Sequence, residues 1–218
     1  MINGVANVGS SSRDLSALVV DFGGVLTTPM QDAMVRFCDE VGIELQDLMR
    51  IALSAYTGGE DRLVVDFETG RISEEEFVAA FAQRLSEVTQ KPVDPEGLVR
   101  RIFSLEIEES MMELVGAAHE AGYRTALCSN SWGTRLYPRE RLDPIFDAIV
   151  ISGEVGLRKP DPAIFELTVK KLGVDASACV FVDDHPGHLM PAGAMGMTTV
   201  LHRTPEETIK AVSELMNL

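Results

Sequence analysis

Ala17-Leu18-Val19-Val20-Asp21-Phe22-Gly23-Gly24-Val25-Leu26 decides how the chain is read. Four apolar residues run straight into a carboxylate, and two glycines follow it. An unbroken apolar run suits a strand covered on both faces, as in a parallel sheet. A carboxylate at the C-terminal tip of such a strand faces the crevice where open α/β sheets hold their ligands. Gly23 and Gly24 let the backbone turn tightly and approach a substrate or an ion. By itself the segment also fits an ordinary strand exit with Asp as turn former. What recurs downstream decides between the two.

Short apolar, β-rich runs return at residues 123–129, 148–152, 178–183 and 197–201. Helical patterns with clear boundaries separate the later ones. Asp161-Pro162 supplies an N-cap and a first-turn proline, and Gly173 ends that helix. Thr204-Pro205-Glu206-Glu207 reads as a capping box for the last helix. From about residue 107 onward the order is helix, strand, helix, strand, which predicts an α/β fold with a doubly wound parallel sheet.

Residues 30–105 break the rhythm with amphipathic helices and no convincing strand. One helix carries Met34, Val35, Phe37, Cys38 and Val41; another starts at Ser73-Glu74-Glu75-Glu76 and buries Phe77, Ala80, Phe81 and Leu85. A third begins at Asp94-Pro95. A βαβ crossover needs about a dozen residues, so this stretch is several times too long for a connector. It reads as a helical insertion placed as a lid over the strand ends. The expected organisation is a flexible N-terminus over 1–14, an α/β core over 15–29 and 106–218, and a helical cap over 30–105.

The 218 residues are 45% hydrophobic, enough for a real core, and carry a net charge of −15. That charge argues against a nucleic-acid or anionic-membrane surface, since both need a basic footprint. Cys38, Cys128 and Cys179 lie in apolar contexts without metal-ligand spacing and read as core residues of a reducing compartment. No apolar stretch approaches the roughly 18 residues of a membrane span. A cytoplasmic protein is expected.

Three further sites fall at the sheet edge that carries Asp21. Ser129-Asn130 ends the second run, Lys159 precedes a helix start in Arg158-Lys159-Pro160-Asp161-Pro162, and Asp183-Asp184 closes the fourth run. Adjacent carboxylates repel unless a cation lies between them. The set suits phosphoryl transfer, which needs an in-line nucleophile and neutralised equatorial oxygens. Asp21 can be that nucleophile through an aspartyl-phosphate. Lys159 would pair with carboxylate and phosphate, Ser129 would bond a phosphate oxygen, and Asp183 and Asp184 would hold Mg²⁺. Asn130, Gly24 and Trp132 complete the expected substrate contacts, with Trp132 read equally well as packing.

These four motifs, in this order, resemble those of the haloacid dehalogenase superfamily, and residues 30–105 lie where that family carries its small α-helical cap. Ser129-Asn130-Ser131-Trp132-Gly133 and Thr69-Gly70-Arg71-Ile72-Ser73 are similar to the branch holding the N-terminal phosphatase of soluble epoxide hydrolases and bacterial sugar-phosphate phosphatases. The resemblance implies Asp21 as nucleophile, Ser129 and Lys159 on the phosphate, and Asp184 as direct Mg²⁺ ligand. Asp183 would lie nearby or act through water, and the Gly23 carbonyl would be a further ligand.

Most phosphatases of that superfamily carry a second Asp, an acid–base, where this chain has Gly23. A positioned acid–base is worth about 10²–10⁴-fold. His185 or His188 could supply the proton, the substrate could have a good leaving group, or turnover could be slow. Sugar-phosphate phosphatases of the resembling branch also carry Gly there. Metal-free dehalogenation of a 2-haloacid is the alternative enzyme reading, and Asp183-Asp184 argues against it. A phosphonate-cleaving relative needs a cap lysine, and Lys91 is the one available. A phosphometabolite-binding protein without turnover is the reading from outside enzymology. The expected partner is a small phosphorylated metabolite, with sugar phosphates first.

Overall fold

In the computed structural model, which describes residues 14–53 and 62–218, the deciding stretch is the central strand of a parallel sheet. Strand β1 (Ala17–Val20) pairs with β2 (Arg124–Ser129) on one side and β4 (Cys179–Asp183) on the other. β3 (Ala148–Ile151) and β5 (Thr198–Leu201) form the edges, giving the order β3-β2-β1-β4-β5. All four pairings are parallel. The chain winds outward from β1 to β3, then returns to the far side of β1 for β4. The crevice at that reversal lies beyond the carboxyl ends of β1 and β4.

Period-two alternation sends the strand residues to two faces, both covered. Leu18, Val20, Leu127, Val180 and Val182 pack against Met111, Leu114 and Val115 of α6 (Glu109–Glu120) and Val212 and Met216 of α11 (Pro205–Met216). Ala17, Val19, Ala126, Cys128, Cys179 and Phe181 face Ile164, Phe165 and Leu172 of α9 (Pro162–Leu172) and Ala192 of α10 (Pro186–Ala194). Burial on both faces is why the runs are continuously apolar rather than alternating. Short helices α7 (Arg139–Leu142) and α8 (Ser152–Val155) flank β3.

Between β1 and α6 lie α1 (Met30–Val41), α2 (Leu45–Leu53), α3 (Leu63–Glu68), α4 (Glu74–Thr89) and α5 (Leu98–Ile102). Their apolar faces make a separate core of Phe37, Leu48, Phe67, Phe77, Phe81, Leu85 and Leu98, with Phe67 and Phe77 stacked at 4.1 Å between ring centroids. Ser73 and Glu76 cap α4 reciprocally, as the sequence predicts. Asp161 caps α9 through the Ala163 N–H, and Gly173 closes it in the left-handed region.

Several local expectations shift. Val35 is 40% exposed, because it falls on the outer side of the stripe made by Met34, Phe37 and Cys38. Ala82 rather than Ala80 is buried on α4. Asp94 accepts from the Glu96 N–H in a turn, and helix α5 starts only at Leu98, after Gly97 in the left-handed region. Thr204 accepts from the Glu207 N–H, while it is Glu206 whose carboxylate is held low by bonds to its own N–H and to Thr204. The predicted flexible N-terminus lies outside the described residues, apart from Asp14. Among the described residues no helix is long and apolar enough to cross a membrane.

Candidate active site

Parallel pairing brings the motifs together. The Asp21 N–H donates to Val182 O at 3.0 Å, which sets the tip of β1 beside the tip of β4. Lys159 reaches between the two tips. Its Nζ lies 2.9 Å from Asp21 Oδ1 and donates to Asp183 Oδ2 at 2.6 Å, and the side chains of Lys159 and Asp183 are both 0% exposed. A fully buried lysine is rare unless paired. Burial disfavours the ammonium, but Asp21 and Asp183 outweigh it and hold the Lys159 pKa above its ordinary value. The Lys159-Pro160 peptide is cis.

Asp183 is the anchor. Besides Lys159, its Oδ1 accepts from the His185 N–H at 2.8 Å and lies 3.0 Å from His188 Nδ1. Burial pushes its carboxyl up, yet Lys159 and His188 prevail and hold it at about 2. Asp21 is pushed above the ordinary carboxylate range by burial, with Lys159 opposing and Asp183 adding to the rise. Asp184 rises to about 7, first through burial of its carboxylate, then through repulsion by Asp21 and Asp183. Although Asp184 as a residue is exposed, that carboxylate turns inward over Gly24.

The two glycines differ in what they permit. Gly24 has φ +76°, and a Cβ there would stand 2.5 Å from Asp184 Oδ2, so only glycine admits both the turn and the carboxylate. Its N–H donates to Thr27 Oγ1 at 2.9 Å. At Gly23 a Cβ would meet Met30 Sδ at 3.0 Å, the flexible end of a side chain on α1 that would have to shift by a few tenths of an ångström.

On the other flank, Asn130 is consumed by the lysine loop. Its Oδ1 accepts from the Lys159 N–H at 2.8 Å and its Nδ2 donates to the Lys159 carbonyl at 3.0 Å. It therefore fixes Lys159 rather than standing free for a substrate. Ser129 Oγ lies 2.9 Å from the Tyr137 hydroxyl. Trp132 packs against Phe103, at 4.4 Å between ring centroids, and joins the helical core. A narrow cleft runs between sheet edge and helices, lined by Phe22, Gly23, Met30, Phe103, Ser129 and Trp132 among others.

Asp21, Lys159, Ser129, Asn130, Gly23, Gly24, Asp183 and Asp184 thus meet at one place. Asp21, Asp183 and His188 each offer a ligand atom, and these lie within 4.8 Å of one another. Three carboxylates around a single ammonium leave an excess of hard, negative oxygen, the donor set that suits Mg²⁺. His185 is not aimed at the cleft: its Nδ1 accepts from the Gly187 N–H at 3.1 Å and caps α10. Lys91, the cap lysine considered for phosphonate cleavage, is exposed beyond the end of α4, in a hollow lined by Gln83, Ser86 and Glu87 that shares no residue with the cleft. Sequence reasoning missed Tyr137, which sits eight residues beyond Ser129 with no motif around it. Cys38, Cys128 and Cys179 are buried free thiols, and burial raises Cys128 to about 11.

Comparison with known proteins agrees with this geometry. The chain is 27% identical over 217 residues to acyl-CoA dehydrogenase family member 10 of Mus musculus, covering 95% of this chain and 20% of that protein. It is 26% identical to bifunctional epoxide hydrolase 2 of Sus scrofa, covering 92% of this chain and 39% of that protein. The chain therefore spans well under half the length of these two relatives. With (S)-2-haloacid dehalogenase 4A of Burkholderia cepacia it shares 28% identity over 85% of its own length and 82% of the relative's. Among solved structures, a predicted HAD-like family hydrolase from Porphyromonas gingivalis superimposes with a TM-score of 0.68 at 25% identity, covering 94% of this chain and 99% of that one. A Bacteroides thetaiotaomicron HAD family enzyme, solved with magnesium and inorganic phosphate, shares the fold at a TM-score of 0.64 and 22% identity, covering 87% of this chain and 94% of that one. The profile of haloacid dehalogenase-like hydrolases matches residues 15–196, and the chain belongs to that family.

Proposed function

We propose that the protein is a Mg²⁺-dependent phosphatase of small phosphomonoesters that works through an aspartyl-phosphate on Asp21. One observation carries the reading: Asp21 and Asp183 both pair with the buried Lys159, while Asp184 beside them is raised to about 7 by burial and by their charge. A substrate phosphate could not approach such a site without further positive charge. Asp21, Asp184 and the Gly23 carbonyl would hold Mg²⁺, whose chemistry is to neutralise the phosphoryl oxygens. Asp183 has both oxygens engaged by Lys159, His188 and the His185 N–H, and so acts on the site through Lys159.

In the forward step an Asp21 carboxylate oxygen forms a bond to phosphorus as the bond from phosphorus to the leaving oxygen breaks. Lys159 and the Ser129 hydroxyl hold equatorial oxygens. The leaving oxygen takes a proton, which Gly23 cannot give and the capping His185 does not offer; it comes from His188 or from water. Water then attacks the phosphorus as the bond from phosphorus to the Asp21 oxygen breaks, its proton passing to solvent, which releases inorganic phosphate and regenerates Asp21. This arrangement favours substrates whose leaving oxygen needs little help. The α1–α5 segment closes over the cleft as the cap that keeps bulk water out. The work is done on a small phosphorylated metabolite in the cytoplasm.

Phosphate release from a panel of small phosphomonoesters, with and without Mg²⁺, tests the reading against Asp21→Asn as blank. Release that requires both Mg²⁺ and Asp21 is expected; release that survives Asp21→Asn refutes the aspartyl-phosphate route. The apolar lining of the cleft (Phe22, Met30, Phe103, Trp132) favours one alternative, attack of Asp21 on the carbon of a small 2-haloacid. Metal-independent halide release would replace the phosphatase reading with that one. Tight phosphate binding without either product would leave a binding protein.

A further inference from the structure

We propose that Glu68, on the helical segment, is a positioning residue for the site: its buried ion pair with Arg158 holds the loop that carries Lys159. The inference rests on the reading of Lys159 as part of the active site. Glu68 Oε2 lies 2.7 Å from Arg158 Nε, with side-chain exposures of 1% and 17%. Arg158 is the immediate neighbour of Lys159, so a grip on its guanidinium is a grip on the lysine's backbone. Asn130 holds the same backbone from the sheet side through both the N–H and the carbonyl of Lys159. The lysine loop is therefore clamped between the sheet and the helical segment.

The Glu68 main chain is tied into the same seam. Ser152 Oγ donates to the Glu68 carbonyl and accepts from the Ser131 N–H at 2.7 Å, while Ser131 Oγ accepts from the Gly133 N–H at 3.1 Å. Two residues on, Gly70 has φ +68°, and a Cβ there would stand well inside van der Waals contact distance of the Gly153 carbonyl oxygen. The end of α3, the start of α8, the 131–133 loop and the lysine loop thus form one network. Lifting the helices off the sheet edge would break the Glu68 contacts to Arg158 and Ser152 together.

Charge at this place specifies geometry more than it stabilises. Glu68 is 1% exposed on a helix whose other buried residues, Val64 and Phe67, are apolar, and a leucine there would carry no charge to desolvate. A buried ion pair commonly contributes less than an apolar replacement of the same volume, and its best use is to select one arrangement. What Glu68 adds over a leucine is an electrostatic hold on Arg158, charge against charge at 2.7 Å.

Glu68→Gln in the full chain tests this by amide hydrogen exchange, a readout that does not depend on turnover. Exchange across residues 156–161 should accelerate relative to the native protein. If Asp21-dependent phosphate release is found, kcat/KM should fall on the order of ten- to a hundredfold, the scale of a small displacement of a catalytic group. Glu68→Asp keeps the charge beside Arg158, and so keeps the fold, while withdrawing the carboxylate by one methylene. It should show the same acceleration to a smaller degree. Unchanged exchange over 156–161 in the folded variants, with loosening confined to residues 63–72, would overturn the proposal. A wild type without phosphatase activity would refute the functional reading while leaving the exchange result to decide on Glu68.

Discussion

Lys159→Met removes the one ammonium between two carboxylates and leaves an unbranched side chain of similar length in its place. The cation it deletes lies 2.9 Å from Asp21 and 2.6 Å from Asp183, and water does not screen the pair, because the Lys159 and Asp183 side chains are wholly buried. Breaking a buried ion pair by removing one partner costs about 3–5 kcal/mol. For a chain of this length each kcal/mol lowers the midpoint by about 2–4 °C, so a fall of about 6–20 °C is expected near neutral pH.

The pH dependence fixes the sign. Asp183 is held at about 2 in the folded protein, below its unfolded value, so its stabilisation is complete above the unfolded value and fades as pH falls toward 2. In the variant the same carboxyl has lost Lys159, the largest influence holding it down, so that its burial is opposed by His188 alone and its pKa rises relative to the wild type. Acid then stabilises the variant relative to the wild type. The deficit should be widest near about pH 7 and should narrow from about pH 5 downward. Thermal melts of both proteins in metal-free buffer at a series of pH values, followed by the fluorescence of the single tryptophan, measure it. A wild-type midpoint at neutrality, or a deficit that stays constant on acidification, would refute the electrostatic account.

Asp184→Asn should raise the Mg²⁺ concentration needed for half-maximal phosphate release, and an unchanged metal titration would remove Asp184 from the metal site. Gly24→Ala forces a Cβ to within 2.5 Å of Asp184 Oδ2 at φ +76°. It should cost about 1–3 kcal/mol in thermal unfolding and displace Asp184, with a wild-type melting curve as the contrary result. Tyr137→Phe deprives the Ser129 hydroxyl of its 2.9 Å partner, leaving the weaker bond to the Asn130 carbonyl at 3.3 Å. Inorganic phosphate should then inhibit less well by about fivefold, the worth of one hydrogen bond of about 1 kcal/mol. Equal inhibition would show that Tyr137 only fills space.

The strands were legible because the central ones are buried on both faces, whereas the edge strand β5 exposes Thr199. Val19 and Val20 point to opposite helical layers, so the run between Ala17 and Asp21 is apolar throughout and stands out from its surroundings. The caps were legible where a single side chain meets its own helix, as at Ser73 and Asp161. Asp94-Pro95 misled because an Asx turn and a helix start use the same residues, and the left-handed Gly97 that separates them has no mark in the pattern. The site residues Asp21, Ser129, Asp183 and Asp184 each end or follow a strand, and Lys159 precedes a helix, at boundaries that could be read.

Local periodicity and the residues that stop it are properties of neighbours in the chain, so the strand exits and the chemistry waiting at them could be read from residue order alone. Which groups share a proton, a charge or a space was decided only by the tertiary structure. Lys159 is buried between Asp21 and Asp183, Asn130 is spent on the lysine backbone, Met30 stands against Gly23, and Glu68 reaches Arg158 across 90 residues of chain. Those pairings arise where β1 and β4 lie side by side and the helices close over their ends. Electrostatic and steric forces act through distances of a few ångström, and sequence separation has no bearing on them.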